Sequence, residues 1–255
     1  IIIIKKINRQ NSHVKIILTE ENNRIFETSQ SNFSEDGYLF LDNRLQIVKE
    51  KIDTKGIPLS EWRIHINSGL KTGFNEAFII NKEKYDELVR KDRKNKDIIM
   101  PILRGRDIGR YNINFSNLYL INTHNGFKRD SEIVPRIEIN DYPVIKEYFD
   151  GFEPKLSARS DKGATQYNMR NCAYLDIFNE EKLIYPEISA GANFYYDKMS
   201  YYIEMTAFVI TGEKIKYLLV MLNSKFLEFA FEKYYLGQKI SDSLRYKKVA
   251  INKLP

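Results

Sequence analysis

Ile98-Ile-Met-Pro-Ile-Leu103 runs directly into Arg104-Gly-Arg-Asp-Ile-Gly-Arg110 and then Tyr111. The apolar run is short enough to be a strand, and it delivers a turn carrying three guanidinium groups and two glycines within seven residues. Arginine presents a flat fork of donors that matches phosphate oxygens and the acceptor edge of guanine. Glycine lacks Cβ, so backbone N–H groups in such a turn can come close to an anion. The same residues also read as a surface turn in which Arg106 and Asp107 form a local ion pair.

Outward from this junction the chain alternates short strands with a few helices. Residues 1–7 and 14–18 alternate as paired strands, and 20–37 is polar and reads as a loop. Leu41, Leu45, Val48 and Ile52 recur at helical spacing, and Gly56 and Pro58 stop that helix. Strands are expected at 62–66, 77–80 and 118–121. A helix with Tyr85, Leu88 and Val89 inward follows, capped by Asn81. Asp141 and Pro143 start another with Ile145, Tyr148 and Phe149 inward. Residues 151–172 have little periodicity, and a loop of that length in a compact domain is usually functional. Strands at 182–188, 194–196, 201–203 and 207–210 lead to an amphipathic helix over 213–235, N-capped by Thr211 and ended by Gly237. A last strand is expected near 249–251. Trp62 and the Phe226/Phe229 stripe are assigned to the core. The fold class is therefore α/β (α+β): a mixed, largely antiparallel sheet with flanking helices, ending in a long amphipathic helix.

The 255-residue chain is 43% hydrophobic and 29% charged, the balance of an ordinary globular protein. No apolar run approaches the roughly 20 residues that cross a bilayer. Ile1 to Ile4 is too short for a signal-peptide core, and the absence of an initiator Met suggests a piece of something longer. A single cysteine, Cys172, excludes an internal disulfide framework and fits the cytoplasm. His13, His65 and His124 lack the partners and spacing of a zinc site. The net charge of +6 is unevenly spread: +4 over residues 1–19, −4 over 20–61, and +5 over 233–253 alone. Basic charge gathered this way attracts phosphate backbones, and it also fits a solvated surface.

Catalytic constellations are missing. No phosphate-loop signature follows Gly105 or Gly109, and no dinucleotide-binding glycine motif or nucleophile elbow occurs. The Asn-Pro-Pro-Tyr tetrad with which amino-methyltransferases hold an extruded base is absent. Glu153-Pro-Lys155 has the spacing of half a Mg2+-nuclease signature, but Asp150 is too near to be its partner and Pro154 suits a strand badly. A basic, aromatic-interleaved binding module fits these residues better than an enzyme. A self-contained Mg2+-dependent nuclease and a protein-interaction domain with an incidental basic patch are the alternatives.

Several phrases, in order, resemble the TaqI-like C-terminal specificity domain, the target-recognition part of adenine-specific DNA methyltransferases and of type IIG restriction-modification enzymes. They are Gly69-Leu-Lys-Thr-Gly-Phe-Asn-Glu-Ala-Phe78, Pro101-Ile-Leu-Arg-Gly-Arg-Asp-Ile108, Tyr142-Pro143, and Arg159-Ser-Asp-Lys-Gly163 ahead of Tyr167 and Arg170. Lys182-Leu-Ile-Tyr-Pro-Glu-Ile188, Phe208-Val-Ile-Thr-Gly212, Leu218-Leu-Val-Met-Leu-Asn-Ser-Lys225, Leu236-Gly237, and Tyr246 before Ile251-Asn-Lys-Leu-Pro255 follow. The resemblance covers about residues 56–255. It implies a tether over 1–57 from a methyltransferase domain of the same polypeptide, and a specificity domain over 58–255 that grips double-stranded DNA. It implies no cofactor in this piece; S-adenosylmethionine, with Mg2+ as a further candidate, is expected in the parent.

Candidate DNA contacts are Arg104, Arg106 and Arg110 in the arginine turn, Lys71 and Thr72 in a glycine-flanked turn, and Arg159, Lys162, Gln166 and Arg170 in the long loop. Lys239, Arg245 and Lys247 join them as phosphate holders near the C-terminus. Pairing of Arg104 with Asp107, or of Arg170 with Glu187, inside the fold is the competing reading.

Overall fold

A computed structural model describes residues 13–18, 24–29, 33–34, 37–38, 41–129, 132–235 and 239–255. Its architecture is the mixed, largely antiparallel α/β fold expected from the sequence. One four-stranded sheet runs in the order Tyr202–Ile203, Ile99–Leu103, Leu118–Ile121, Ile79–Asn81, and its Tyr202–Ile203 edge is parallel to its neighbour. A second runs Tyr195–Asp197, Lys182–Pro186, Ala207–Gly212, Ile64–Ser68, all antiparallel.

The strand Lys182–Pro186 is buried along its whole length. Successive side chains point to opposite faces of a sheet. Ile184, with Ala207 and Val209, therefore enters a core shared with Ile102, Leu103 and Leu120 of the first sheet. Leu183 and Tyr185, with Ile66 and Ile210, enter another shared with Leu218, Leu222 and Phe231. A strand covered on both faces reads as a continuous apolar run, which is what the sequence shows here. Its one charge, Lys182, is wholly buried. The ammonium donates to Asp197 Oδ2 at 2.7 Å and to the carbonyls of Phe178 and Glu180 at 2.6 and 3.2 Å. Burial pushes its pKa below the usual lysine range, and Asp197 pulls it back up.

The two sheets meet at residues 203–207, where the chain leaves the first and enters the second. Leu70 N–H donates to Ile203 O at 2.7 Å, Gly69 N–H to Ala207 O at 2.8 Å, and Glu204 N–H to Leu103 O at 2.9 Å. Gly105 N–H donates to Thr206 Oγ1 at 2.9 Å, and Glu187 N–H to Thr206 O at 2.9 Å. Glycine is needed at both turns because the backbones nearly touch. A Cβ at Gly69 would lie 2.2 Å from Glu204 O, and one at Gly105 2.6 Å from Thr206 O. These N–H groups are spent on the protein, so the anion-cradling role expected of Gly105 gives way to packing.

Several local expectations need correction. Within 20–37, residues Arg24–Ser29 form a strand paired with His13–Leu18, and Phe33–Ser34 pairs with Gly37–Tyr38. Residues 1–7 lie outside the described part. Asn75–Phe78 is a helical turn and only Ile79–Asn81 is strand, because Thr72 Oγ1 accepts from Phe74 N–H and donates to Asn75, turning the chain there. Residues 248–251 are helix rather than strand. The helix expected over 213–235 is divided into Ile215–Leu222 and Lys225–Ala230, with a π-turn at Phe231–Tyr235. The break lies at Asn223, a buried amide that donates to Phe194 O at 2.8 Å and accepts from Phe194 N–H at 3.0 Å. Ser224 then caps the second piece through Leu227 N–H. Thr211 belongs to the preceding strand, and Gly237 lies outside the described residues.

The break exposes Phe226 and Phe229, which were assigned to the core. Trp62 is half-buried against Tyr217 at 6.2 Å. With Phe226, Val48, Ile57 and Pro255 these rings line an open apolar groove of about 600 Å³. Helix Asn43–Lys55 follows the expected spacing and is capped by Asp42, which accepts from Leu45 N–H, and its Ile52 shares a core with Leu254. Among the described residues, no helix is long and apolar enough to cross a membrane.

Gly69→Ala forces Cβ into the Glu204 carbonyl, so it should cost stability by about 1–3 kcal/mol, the usual toll of overpacking. Denaturant titration of the variant checks this. An unchanged midpoint would mean that the 203–207 junction has slack that its geometry does not reveal.

Candidate nucleic-acid interface

The turns at 69–73 and 104–107 grip opposite flanks of residues 203–207, so the fold brings together two of the four basic segments picked from sequence. A third, the loop over 151–172, is held by Arg159. Its guanidinium is buried and donates to the carbonyls of Thr72, Gln166 and Asn168 at 2.5, 2.6 and 3.0 Å, with longer contacts to Leu156 and Asp161 at 3.3 Å each. It also lies over the Phe78 ring, 4.4 Å from the centroid. Burial lowers its pKa from the usual arginine value, against the opposing pull of Asp161. Arg159 is thus a fastener between the loop and the 69–73 turn, with no donor left for a ligand.

Other candidates are also turned inward. Arg104 pairs with the buried Asp107 through Nε and Nη2, both at 3.1 Å. The same carboxylate accepts from Arg104 N–H at 2.8 Å and Ser116 Oγ at 2.7 Å. Burial pushes the Asp107 carboxyl up, but these donors outweigh it and hold its pKa below the usual value. Thr72 is buried and caps its own turn. Arg110 donates to Asn223 O at the break between the two helices. Gln166 is half-buried, and it is its main-chain carbonyl, not its side chain, that Arg159 holds. Arg245 grips Glu187 Oε1 through Nε at 2.8 Å and Nη2 at 2.7 Å.

Of the outward candidates, Lys71 and Arg170 line a cleft of about 350 Å³ together with His124, Asn171, Tyr174, Glu187 and Met205, among others. Lys71 and Arg170 share Asp161, Lys71 through a short ion pair and Arg170 through a long one of 3.5 Å. Lys71 and then Arg170 hold the Asp161 carboxyl below its usual range. Lys162 is exposed, donates to Ser157 O at 2.6 Å, and bridges to the cleft residue Met169. Arg106 is exposed with no protein partner among the described residues, and follows Gly105, whose N–H bonds Thr206. Lys247 is exposed just after the strand Ser243–Arg245, which pairs with Ile188–Ser189 behind Glu187. The Lys239 side chain lies outside the described part.

Residues 100–255, more than half of the chain, match the TaqI-like C-terminal specificity domain. The chain belongs to that family. Two solved structures resemble this specificity domain. The type IIG restriction endonuclease BpuSI gives a TM-score of 0.55 at 15% identity, covering 91% of this chain and 28% of that one. The type IIL restriction-modification enzyme MmeI in complex with DNA gives 0.49 at 9% identity, covering 78% and 25%. The chain thus spans about a quarter of either protein. No curated protein matches it.

Of the candidates named from sequence, Lys71, Arg106, Lys162, Arg170 and Lys247 face outward, while Thr72, Arg104, Arg110, Arg159 and Arg245 are engaged within the fold. Asn171, His124 and Glu187 were missed. Asn171 had a signal, since it directly follows Arg170 in the long loop. Glu153 and Lys155 are both exposed, and among the described residues Glu153 accepts a hydrogen bond only from Ser157 N–H, at 3.3 Å. No three His, Cys, Asp or Glu side chains gather as metal ligands among the described residues.

His124 Nδ1 accepts Gly126 N–H at 3.2 Å, and the ring meets Phe127 edge-on. Burial, helped by Arg129, lowers its pKa. The unfolded chain therefore takes up a proton below about pH 6.5 that the folded chain resists. The stability contributed is complete above that pH and is lost as pH falls through the depressed folded value. Melting curves from pH 7.5 to 5 should fall more steeply for wild type than for His124→Gln. Parallel curves would show that this ring does not titrate on unfolding.

Proposed function

We propose that this chain is the DNA target-recognition domain of a restriction-modification protein whose other part methylates adenine at N6. Membership of the TaqI-like specificity family supports the recognition role. The observation that carries it is the cleft, where Arg170 and Lys71 face solvent, held by exposed pairing with Asp161, while Arg104, Arg159 and Arg245 are committed to internal partners. Residues 58–255 would grip the duplex, and 1–57 would lead in from the methyltransferase domain. Base extrusion needs a duplex held and checked by a second surface, and that is the division of labour proposed here. S-adenosylmethionine, and Mg2+ if the parent also cuts DNA, would bind outside this chain. The protein would act in the cytoplasm, where the DNA lies.

Phosphate contact gives a measurable signature. Each neutralised phosphate releases counterions, so log affinity should fall linearly with log salt. Arg106→Ala should weaken duplex binding and lower that slope by about one. Fluorescence anisotropy over a salt series reads both. Affinity that ignores salt, or an Arg106→Ala slope equal to wild type, would remove Arg106 from the phosphate-holding set.

A further inference from the structure

We propose that Arg170 and Asn171 form the base-reading pair of the cleft, Arg170 addressing a guanine and Asn171 an adenine; this rests on the DNA-recognition reading above. Most other polar groups lining the cleft are already engaged. Arg245 holds Glu187 from behind, Lys71 is tied to Asp161, and Ser68 Oγ meets Tyr174 OH at 3.1 Å. Arg170 makes a single contact of 3.5 Å with a carboxylate that Lys71 already occupies, and its side chain is 53% exposed. Its Nε and Nη2 donate to no protein group among the described residues. That fork matches the O6 and N7 acceptors of guanine in the major groove.

Asn171 is held in one orientation by a relay. Ala164 N–H donates to Asn125 Oδ1 at 2.7 Å. A backbone N–H can only donate, so that end of Asn125 is oxygen and its other end is NH2. This NH2 donates to Asn171 Oδ1. The oxygen end of Asn171 is thereby fixed, and its NH2 has no protein acceptor among the described residues. The second lone pair of Oδ1 and the NH2 together are the acceptor and donor that adenine N6 and N7 require. Gly163 makes room for the relay, since a Cβ there would sit 2.5 Å from Asn125 Oδ1. Two adjacent residues on one cleft thus offer planar groups suited to different purines. Asn125 is a positioning residue behind the second.

The test is selection of a randomised DNA duplex library on the full 255-residue chain and on Arg170→Ala, Asn171→Ala and Asn125→Ala. Wild type should enrich a motif. Arg170→Ala should lose guanine preference at one position by about tenfold to a hundredfold, with the rest of the motif kept. Asn171→Ala should do the same at an adenine, and Asn125→Ala should weaken that adenine position and no other. Melting temperatures near wild type establish that the exposed variants fold. Variants that enrich the wild-type motif unchanged, or that lose affinity evenly at every position, overturn the assignment while leaving DNA recognition standing. A wild-type chain that enriches no motif overturns the recognition reading and this inference with it.

Discussion

The close backbone contact at residues 203–207 holds the rest of the molecule in register. Five hydrogen bonds from Leu70, Gly69, Glu204, Gly105 and Glu187 converge on or leave this short stretch. The buried Glu204 carboxylate ties it further to Thr206 Oγ1 at 2.5 Å and to Asn75 Nδ2 at 3.4 Å. Buried backbone groups must find partners, so a crossing between two sheets is permitted only where neighbouring turns supply them. The turns that do so are the two that carry Lys71 and Arg106. The demand for hydrogen-bond partners at the crossing therefore fixes where these cations stand.

Arginine is used in two opposite ways within this small region. Arg104, Arg159 and Arg245 are spent on a carboxylate or on carbonyls, where a rigid fork satisfies several acceptors at once. Arg106 and Arg170 point outward. The inward set shapes the surface that the outward set decorates. In the proposed recognition domain, counting arginines in a basic segment overstates the charge available to a phosphate backbone. Exposed ion pairs such as Lys71 with Asp161 are weakly held and easily exchanged for a stronger anion.

Much of the fold was legible in the sequence because its signals are local. The apolar runs at 99–103, 118–121 and 182–186 became strands, and Asn81 caps its helix through Lys84 N–H. The misses have tertiary causes. The helix expected over 213–235 keeps its apolar spacing through Asn223, and only the distant Phe194 backbone reveals why it breaks there. Gly69 and Gly105 signal tight turns, but nothing nearby in sequence shows that a third segment presses on them. For the candidate site, the sequence shows which segments are basic but not which of their side chains stay outward. Whether Arg159 or Arg170 faces outward depends on where the carbonyls of Thr72 and Asn168 lie, and that emerges only once the loop has closed.

Arg159 grasps the loop by its main chain alone. Every oxygen it holds, from Leu156 to Asn168 and across to Thr72, belongs to a peptide group. Peptide carbonyls are the same in every amino acid, so the path of this segment does not depend on the identity of its outward side chains. Substitutions along its rim can accumulate while the scaffold stays put, which lets a domain of this design acquire new preferences one residue at a time without refolding.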